Sequence, residues 1–115
     1  MFEEAKRDQS DGVEPINFGI DYDDTFTADP WLWRQFIRQA EERGHRCYIV
    51  TCRMDTDENR EDVIQEVYGL SSNTGLPRHR HLFTSMGPKR HYCEQKGIRI
   101  DIWIDDYPES VKEGR

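Results

Sequence analysis

The chain has 115 residues, with 23 acidic and 16 basic side chains and a net charge of −7. This length suits one domain and is too short for two. The acidic balance argues against a general affinity for the nucleic acid backbone, although a local basic patch would be compatible with it.

The N-terminal part of the chain consists of a polar segment followed by a strand. Residues 1–14 are expected to be a loose lead-in to a single domain over residues 15–115. The first strand is predicted over residues 16–21, where apolar residues alternate with Asn17 and Gly19. Because Asn17 and Gly19 are small, their face of the strand would let a helix approach closely.

Two helices flank the second strand. The first begins at Asp29, a capping residue followed by proline, and runs to about Arg43. The second strand is predicted over residues 46–51, and the second helix begins within residues 55–59 and ends at Gly69. The apolar positions expected to face the core are Leu32, Phe36, Ile37, Ala40, Val63, Ile64, Val67 and Tyr68.

The C-terminal half continues the same alternation. Residues 71–80 are predicted as a loop and residues 81–84 as a short third strand. A third helix is expected between Gly87-Pro88 and Gly97. The fourth strand lies within residues 98–105, most clearly from Ile102 onward, and Pro108-Glu109-Ser110 begins a short terminal helix.

Strands that alternate with helices predict an α/β domain. We expect a three-layer, Rossmann-like fold: a mainly parallel four-stranded sheet with helices on both faces. Right-handed crossovers place all strand carboxyl ends on one edge, where ligands bind in such sheets. The chemistry-bearing residues at that edge are Asp21, Asp23, Thr51, Asp105 and Asp106.

The acidic residues at this edge indicate a cation site. Asp21 and Asp23 lie on the same side of their strand end, and close carboxylates raise each other's pKa unless a cation or hydrogen-bond donors offset the repulsion. So dense a cluster suits a hard divalent cation. A calcium loop is excluded, because Phe26 and Leu32 stand where it requires glycine and glutamate.

Four short motifs occur in one order along the alternating strands. They are the run Asp21-Tyr22-Asp23-Asp24-Thr25, Thr51, a lysine, and the pair Asp105-Asp106. Together they span residues 16–106 and resemble the haloacid dehalogenase-like (HAD-like) hydrolase superfamily. The resemblance implies a HAD-like fold and a phosphatase that acts through an aspartyl phosphate.

The resemblance also implies a role for each matching residue. Asp21 corresponds to the nucleophile that attacks phosphorus. Asp23 corresponds to the general acid and base, which protonates the leaving oxygen and then activates water. Thr51 would donate a hydrogen bond to a phosphoryl oxygen.

The implied cofactor is Mg²⁺. Its ligands would be Asp21, the backbone carbonyl of Asp23, and Asp106 or, as the second choice, Asp105. Magnesium suits the role because it takes few protein carboxylates and leaves positions for phosphate and water.

A lysine completes the predicted site. A carboxylate can attack a dianionic phosphate only when nearby cations cancel the repulsion, and Lys89 and Lys96 compete for this role. Helices that connect parallel strands run opposite to them, so Lys89, in the first turn of the third helix, lies at the active edge. Lys96 lies about 10 Å farther along the helix axis, toward the opposite edge. Lys89 is therefore the predicted catalytic lysine.

Two neighbouring residues have open roles. Arg53 either contacts the substrate phosphate or leaving group, or is a surface arginine that pairs with the acidic cluster. Asp24 stands where many relatives have glycine, and we expect a helix-capping or outer carboxylate rather than a catalytic one. A phospho-receiver domain is disfavoured, because Thr51 and Lys89 precede the final acidic pair.

The short connections around the motifs predict a member without a cap domain. Only residues 26–28 separate the first motif from its helix, and residues 53–81 have room for one helix and a loop. The short connections therefore do not distinguish a nucleotide, a polynucleotide or protein phosphate end, and a small phosphoester as the phosphorylated substrate. A second copy of the chain or a partner chain would be one way to cover the site. The alternatives to a magnesium-dependent phosphatase are a silent binding or regulatory module and a phosphotransferase of the same superfamily.

The cysteines and the N-terminal sequence suggest a cytoplasmic protein. Cys47, Cys52 and Cys93 form an odd set without paired spacing, which is typical of reduced thiols. The N-terminus lacks the order of a signal peptide, and no apolar run approaches membrane-spanning length, so no membrane contact is expected.

Overall fold

Four parallel strands form the centre of the molecule in a computed structural model that describes residues 13–70 and 73–114. They are β1 (Asn17–Ile20), β2 (Arg46–Thr51), β3 (His81–Phe83) and β4 (Ile102–Ile104). Their order across the sheet is β3-β2-β1-β4, and every pairing is parallel. The predicted parallel α/β sheet is thus confirmed, and strand order reverses at β1, between β2 and β4.

Helices follow each strand. They are α1 (Pro30–Glu42), α2 (Asp57–Tyr68), α3 (Lys89–Gln95) and α4 (Glu109–Lys112), and short 3-10 turns cover Phe26–Ala28 and Arg78–Arg80. The predicted cap of α1 is present, because the Asp29 carboxylate accepts a hydrogen bond from the Leu32 N–H at 3.2 Å. Thr56 caps α2 in the same way.

The helices cover both faces of the sheet, as predicted. In β2, Cys47 and Ile49 pack with buried residues of α1 and α2, whereas Val50 packs with Cys93 of α3. Successive residues of a strand point to opposite faces, so α1 and α2 lie on one face and α3 on the other. The domain therefore has three layers.

The fourth strand is shorter than the predicted 98–105 segment. The Ile98 N–H donates to the Cys93 carbonyl at 2.9 Å and the Gly97 N–H to the Glu94 carbonyl at 3.0 Å. Gly97, at φ +74°, completes this Schellman motif at the end of α3. Residues 97 and 98 thus belong to the helix end, and ladder pairing begins only at Ile102.

Two helix positions expected in the core are exposed. Leu32 and Tyr68 retain about half of their accessible surface, at 48% and 46%. Leu32 lies in the first turn of α1, and Tyr68 is the last residue of α2. The terminal turns of α1 and α2 therefore leave these two side chains outside the core.

A side chain, not a helix, covers Gly19. A Cβ on Gly19 would lie 2.9 Å from ring atoms of Trp103 and from the Ile100 side chain. Trp103 is the direct cross-strand neighbour of Gly19 in β4. The small residue lets the indole lie over β1, so the expectation of a close helix at this position is wrong.

Several expectations lie partly outside the described residues. Of the predicted lead-in over residues 1–14, the structure describes only residues 13 and 14. Of the predicted loop over residues 71–80, it describes residues 73–80. Over residues 13–70 and 73–114, no helix has the length and apolar character needed to cross a bilayer.

Candidate active site at the carboxyl edge of the sheet

The pairing of β1 with β4 brings the two acidic segments together. Ile20 pairs with Ile104, and the Asp21 N–H donates to the Ile104 carbonyl at 2.9 Å. Asp21 and the Asp105-Asp106 pair therefore leave neighbouring strands at the same edge. This is the place where the strand order reverses and where parallel sheets bind ligands.

A buried lysine bridges the two strand ends. Lys89 Nζ lies 2.6 Å from Asp21 Oδ1 and 2.6 Å from Asp105 Oδ2. All three side chains are at most 4% exposed. Lys96 instead is exposed, with its ammonium 5.1 Å from the centre of the Tyr92 ring. The structure brings Lys89, and not Lys96, to the acidic residues.

Thr25 connects Asp21 with Asp106. Its hydroxyl oxygen lies 3.1 Å from Asp21 Oδ2 and 3.0 Å from Asp106 Oδ1, and it accepts a hydrogen bond from the Asp106 N–H. A hydroxyl has one proton and can donate it to only one of the two carboxylates. One hydroxyl therefore lies between the carboxylates of Asp21 and Asp106 and holds them close together.

The Asp105 carboxylate accepts hydrogen bonds from three donors. Besides Lys89, the Ser110 hydroxyl donates to Oδ2 at 3.1 Å and the Tyr107 N–H donates to Oδ1 at 2.9 Å. Ser110 is fully buried in α4. The sequence indicated Ser110 only as part of a helix start, and the available signal was its position five residues after Asp105. Asp105 thus holds Lys89, while Asp106 faces Thr25.

Burial changes the acidity of Asp21. Desolvation raises the pKa of its carboxyl to about 6, although the hydrogen bond and the charge of Lys89 act to lower it. The lysine does not offset the full cost of burying this carboxylate. A second cation next to Asp21 would favour its ionised form at neutral pH.

Three carboxylates are close enough to serve one metal ion. Ligand oxygens of Asp21, Asp105 and Asp106 all lie within 4.8 Å of one another. Oxygens bound to one Mg²⁺ are at most about 4.2 Å apart, since each bond is about 2.1 Å long. Small side-chain rotations would close the difference, so the all-oxygen donor set fits a hard cation.

Asp23 lies apart from this cluster. Both of its carboxylate oxygens accept hydrogen bonds from Arg53, each at 2.9 Å, and the two side chains are 41% and 31% exposed. The Arg53 guanidinium also lies 5.1 Å from the centre of the Tyr22 ring. The predicted acid and base thus forms a two-pronged ion pair at the mouth of the site.

The remaining predicted residues lie at the same edge. Thr51 is buried at the end of β2, where its hydroxyl accepts the Arg53 N–H at 3.2 Å and keeps its own proton for another acceptor. Asp24 is exposed, adopts φ +67° and donates its N–H to Thr27 Oγ1. This left-handed conformation favours glycine and gives Asp24 a local backbone role.

Comparison of the chain with models of protein families, with curated proteins and with solved structures found no match. The chemistry of the site has to be inferred from its own residues. Those that carry most weight are Asp21, Lys89, Thr25 and the acidic pair that follows β4.

Proposed function

We propose that the protein is a magnesium-dependent phosphomonoesterase of the HAD-like type. The observation that carries the proposal is the buried Lys89 ammonium between Asp21 and Asp105, with Asp106 on the other side of Asp21 across Thr25. This arrangement presents a carboxylate nucleophile between a fixed cation and a set of oxygen ligands that suits a second cation.

The charge balance of phosphoryl transfer explains this arrangement. A carboxylate that approaches a phosphate dianion is repelled unless positive charge is held nearby, and catalysis depends mainly on positioning and neutralisation. Lys89 contributes one buried positive charge in contact with Asp21. When bound, Mg²⁺ would supply further neutralisation; Asp21, Asp106 and the Asp23 carbonyl would hold it, while Asp105 keeps Lys89 in place.

The reaction proceeds in two displacements at phosphorus. The Asp21 carboxylate forms a bond to phosphorus, the bond to the leaving oxygen breaks, and Asp23 gives that oxygen a proton. Asp23 then takes a proton from a water molecule that attacks the aspartyl phosphate, which releases inorganic phosphate and restores Asp21. Thr51 donates its hydroxyl proton to a phosphoryl oxygen.

Asp23 can act as an acid only after it has parted from Arg53. The incoming phosphate carries two negative charges and competes for the guanidinium, whose planar donors match phosphate as well as carboxylate. Arg53 would therefore turn from Asp23 to the substrate. Its partial exposure leaves room for this movement.

The test is hydrolysis of an aryl phosphate with and without Mg²⁺. The wild type is expected to release phosphate only with the metal, and Asp21→Asn is expected to lose at least about 10³-fold in kcat. Asp24→Asn is the matched control, because it removes an exposed carboxylate from the same loop and leaves the buried cluster intact.

A second measurement separates an enzyme from a binding module. Beryllium fluoride, which imitates a phosphoryl group on an aspartate, should raise the Tm only with Mg²⁺ and only when Asp21 is present. Such a Tm increase without turnover over a broad panel of phosphate esters would favour a regulatory module. Absence of both would refute the proposed chemistry.

A further inference from the structure

An open cleft of about 1230 Å³ begins beside the candidate active site. Its mouth is lined by Tyr22 and Arg53, next to Asp23, and it continues along α2 to the segment before β3. No residue beyond this mouth has a part in the phosphoryl chemistry. The volume exceeds the roughly 300–1,000 Å³ of ordinary small-molecule sites, so it can hold a substrate body larger than a phosphate.

The cleft wall combines apolar and hydrogen-bonding surfaces. The exposed apolar surface comes from Tyr68, Leu70 and Pro77. Tyr22, Ile64 and Leu76 are buried beneath it and form the apolar base of the cleft. Gln65, on the exposed side of α2, contributes an amide whose Nε2 donates to Glu61 Oε2 at 3.0 Å. A flat ring with a few polar substituents would satisfy both kinds of surface.

The charges that line the cleft are balanced. Arg34 donates to the Glu66 carbonyl at 2.7 and 3.0 Å and to the Glu66 carboxylate at 3.0 Å, and Arg78 lies 4.0 Å from Glu61. The third lining arginine pairs with Asp23 at the mouth. Asp62 adds a further carboxylate. Each described arginine that lines the cleft thus has a carboxylate partner, so a second phosphate would have to compete with a carboxylate for its donors.

We propose that this cleft receives the leaving group of the substrate and that the leaving group is an uncharged nucleoside. The proposal rests on the phosphatase function above. A nucleoside offers a flat base for the apolar wall, and hydroxyl and amino donors for the carboxylates along α2. The substrate would then be a nucleoside monophosphate, with its phosphate at Asp21 and its base in the cleft.

The same charges disfavour longer phosphate chains. A second phosphate beyond the reacting one would enter a cleft whose lining includes the carboxylates of Glu61 and Asp62, whereas binding of a phosphate chain depends on basic side chains that are available to it. Nucleoside diphosphates and phosphorylated oligonucleotides are therefore expected to be poor substrates. The net charge of −7 acts in the same direction.

The experiment compares substrates in a variant whose cleft is filled. Gln65→Trp places a bulky ring in the cleft from an exposed position, while Glu58→Trp adds the same ring to an exposed position of α2 that does not line it. Gln65→Trp is expected to lower kcat/KM for a nucleoside monophosphate at least tenfold, mainly through KM, and to leave glycerol phosphate within twofold. Glu58→Trp should change neither, and equal Tm values would show that both variants fold.

Failure of this inference can be told apart from failure of the proposed function. Glycerol phosphate hydrolysis tests the phosphatase chemistry without the cleft. If it is absent, saturation-transfer NMR with adenosine and cytidine still tests the cleft: binding should occur in wild type and be lost in Gln65→Trp. Nucleoside monophosphate turnover or nucleoside binding that is unaffected by Gln65→Trp would overturn the proposal. Equal use of a mono- and a diphosphate would overturn it too.

Discussion

Replacement of Lys89 by methionine is the sharpest test of the candidate site. Methionine keeps most of the side-chain length and apolar surface and removes only the ammonium. In the native protein this ammonium makes two contacts of 2.6 Å, to Asp21 and to Asp105, in surroundings that leave each side chain at most 4% exposed. The variant would therefore leave two buried carboxylates without their shared cation.

The size of the effect follows from this burial. Removal of one partner from a buried ion pair costs about 3–5 kcal/mol, because the remaining charge stays buried without compensation. Domains of this size have about 5–15 kcal/mol of stability in total, so the Tm should fall by roughly 12–20 °C. The penalty should be smaller at pH 5 than at pH 8, because burial raises the pKa of Asp21 to about 6 and this carboxylate then takes up a proton.

The assay is urea unfolding of the metal-free protein at both pH values, with circular dichroism as the signal that reports unfolding. Lys96→Met is the matched control from the other end of α3. Its ammonium is exposed, lies 5.1 Å from the centre of the Tyr92 ring and has a charge interaction with the exposed Asp55, so its loss should cost less than about 1 kcal/mol. A Lys89→Met protein that unfolds within 1 kcal/mol of wild type at pH 8 would refute the buried bridge. The double variant Lys89→Met/Asp105→Asn should recover part of the loss, since it removes one of the unpaired charges.

Three further predictions concern metal binding, pH and packing. Magnesium should raise the Tm of the wild type and of Asp24→Asn but not of Asp106→Asn, and equal increases in all three would exclude Asp106 as a ligand. Burial lowers the pKa of His81 from 6.5 to about 4, so the unfolded chain takes up its proton first as the pH falls. Unfolding free energy should therefore drop by up to about 3 kcal/mol between pH 6.5 and 4, and His81→Asn should lack this part of the loss in urea titrations. Gly19→Val should cost about 1–3 kcal/mol, because its Cβ would lie 2.9 Å from the Trp103 ring; a neutral effect would show that the indole can move aside.

The placement of the lysine shows how far local rules can reach. Gly87-Pro88 predicts a helix start, and a helix between parallel strands runs back from the carboxyl edge. These two facts alone select Lys89 over Lys96, and the structure places the Lys89 ammonium next to Asp21. The side-chain pairing with Asp105 was not predicted, because it depends on α4 and its buried Ser110.

The pairing of Asp23 with Arg53 shows where local rules end. The sequence did not decide whether Arg53 contacts the substrate or forms an ion pair, since both roles need only an arginine near the strand end. The tertiary structure places its guanidinium against Asp23 and Tyr22. The cleft beyond this pair could not be predicted either, because its lining combines Tyr22 and Arg34 with α2 and the segment before β3, which lie far apart in the sequence.

The sequence by itself determined the order of strands and helices, the parallel sheet and the edge that carries the acidic residues. These properties depend on apolar periodicity, helix caps and the handedness of crossovers, all of which act over short stretches of chain. Only the tertiary structure decided which carboxylate holds Lys89 and which faces Thr25. That division depends on the pairing of β1 with β4, which joins residues 81 positions apart at distances of about 3 Å. Hydrogen bonds of about 3 Å are sensitive to small shifts in the positions of the two strand ends, and no sequence pattern specifies those positions.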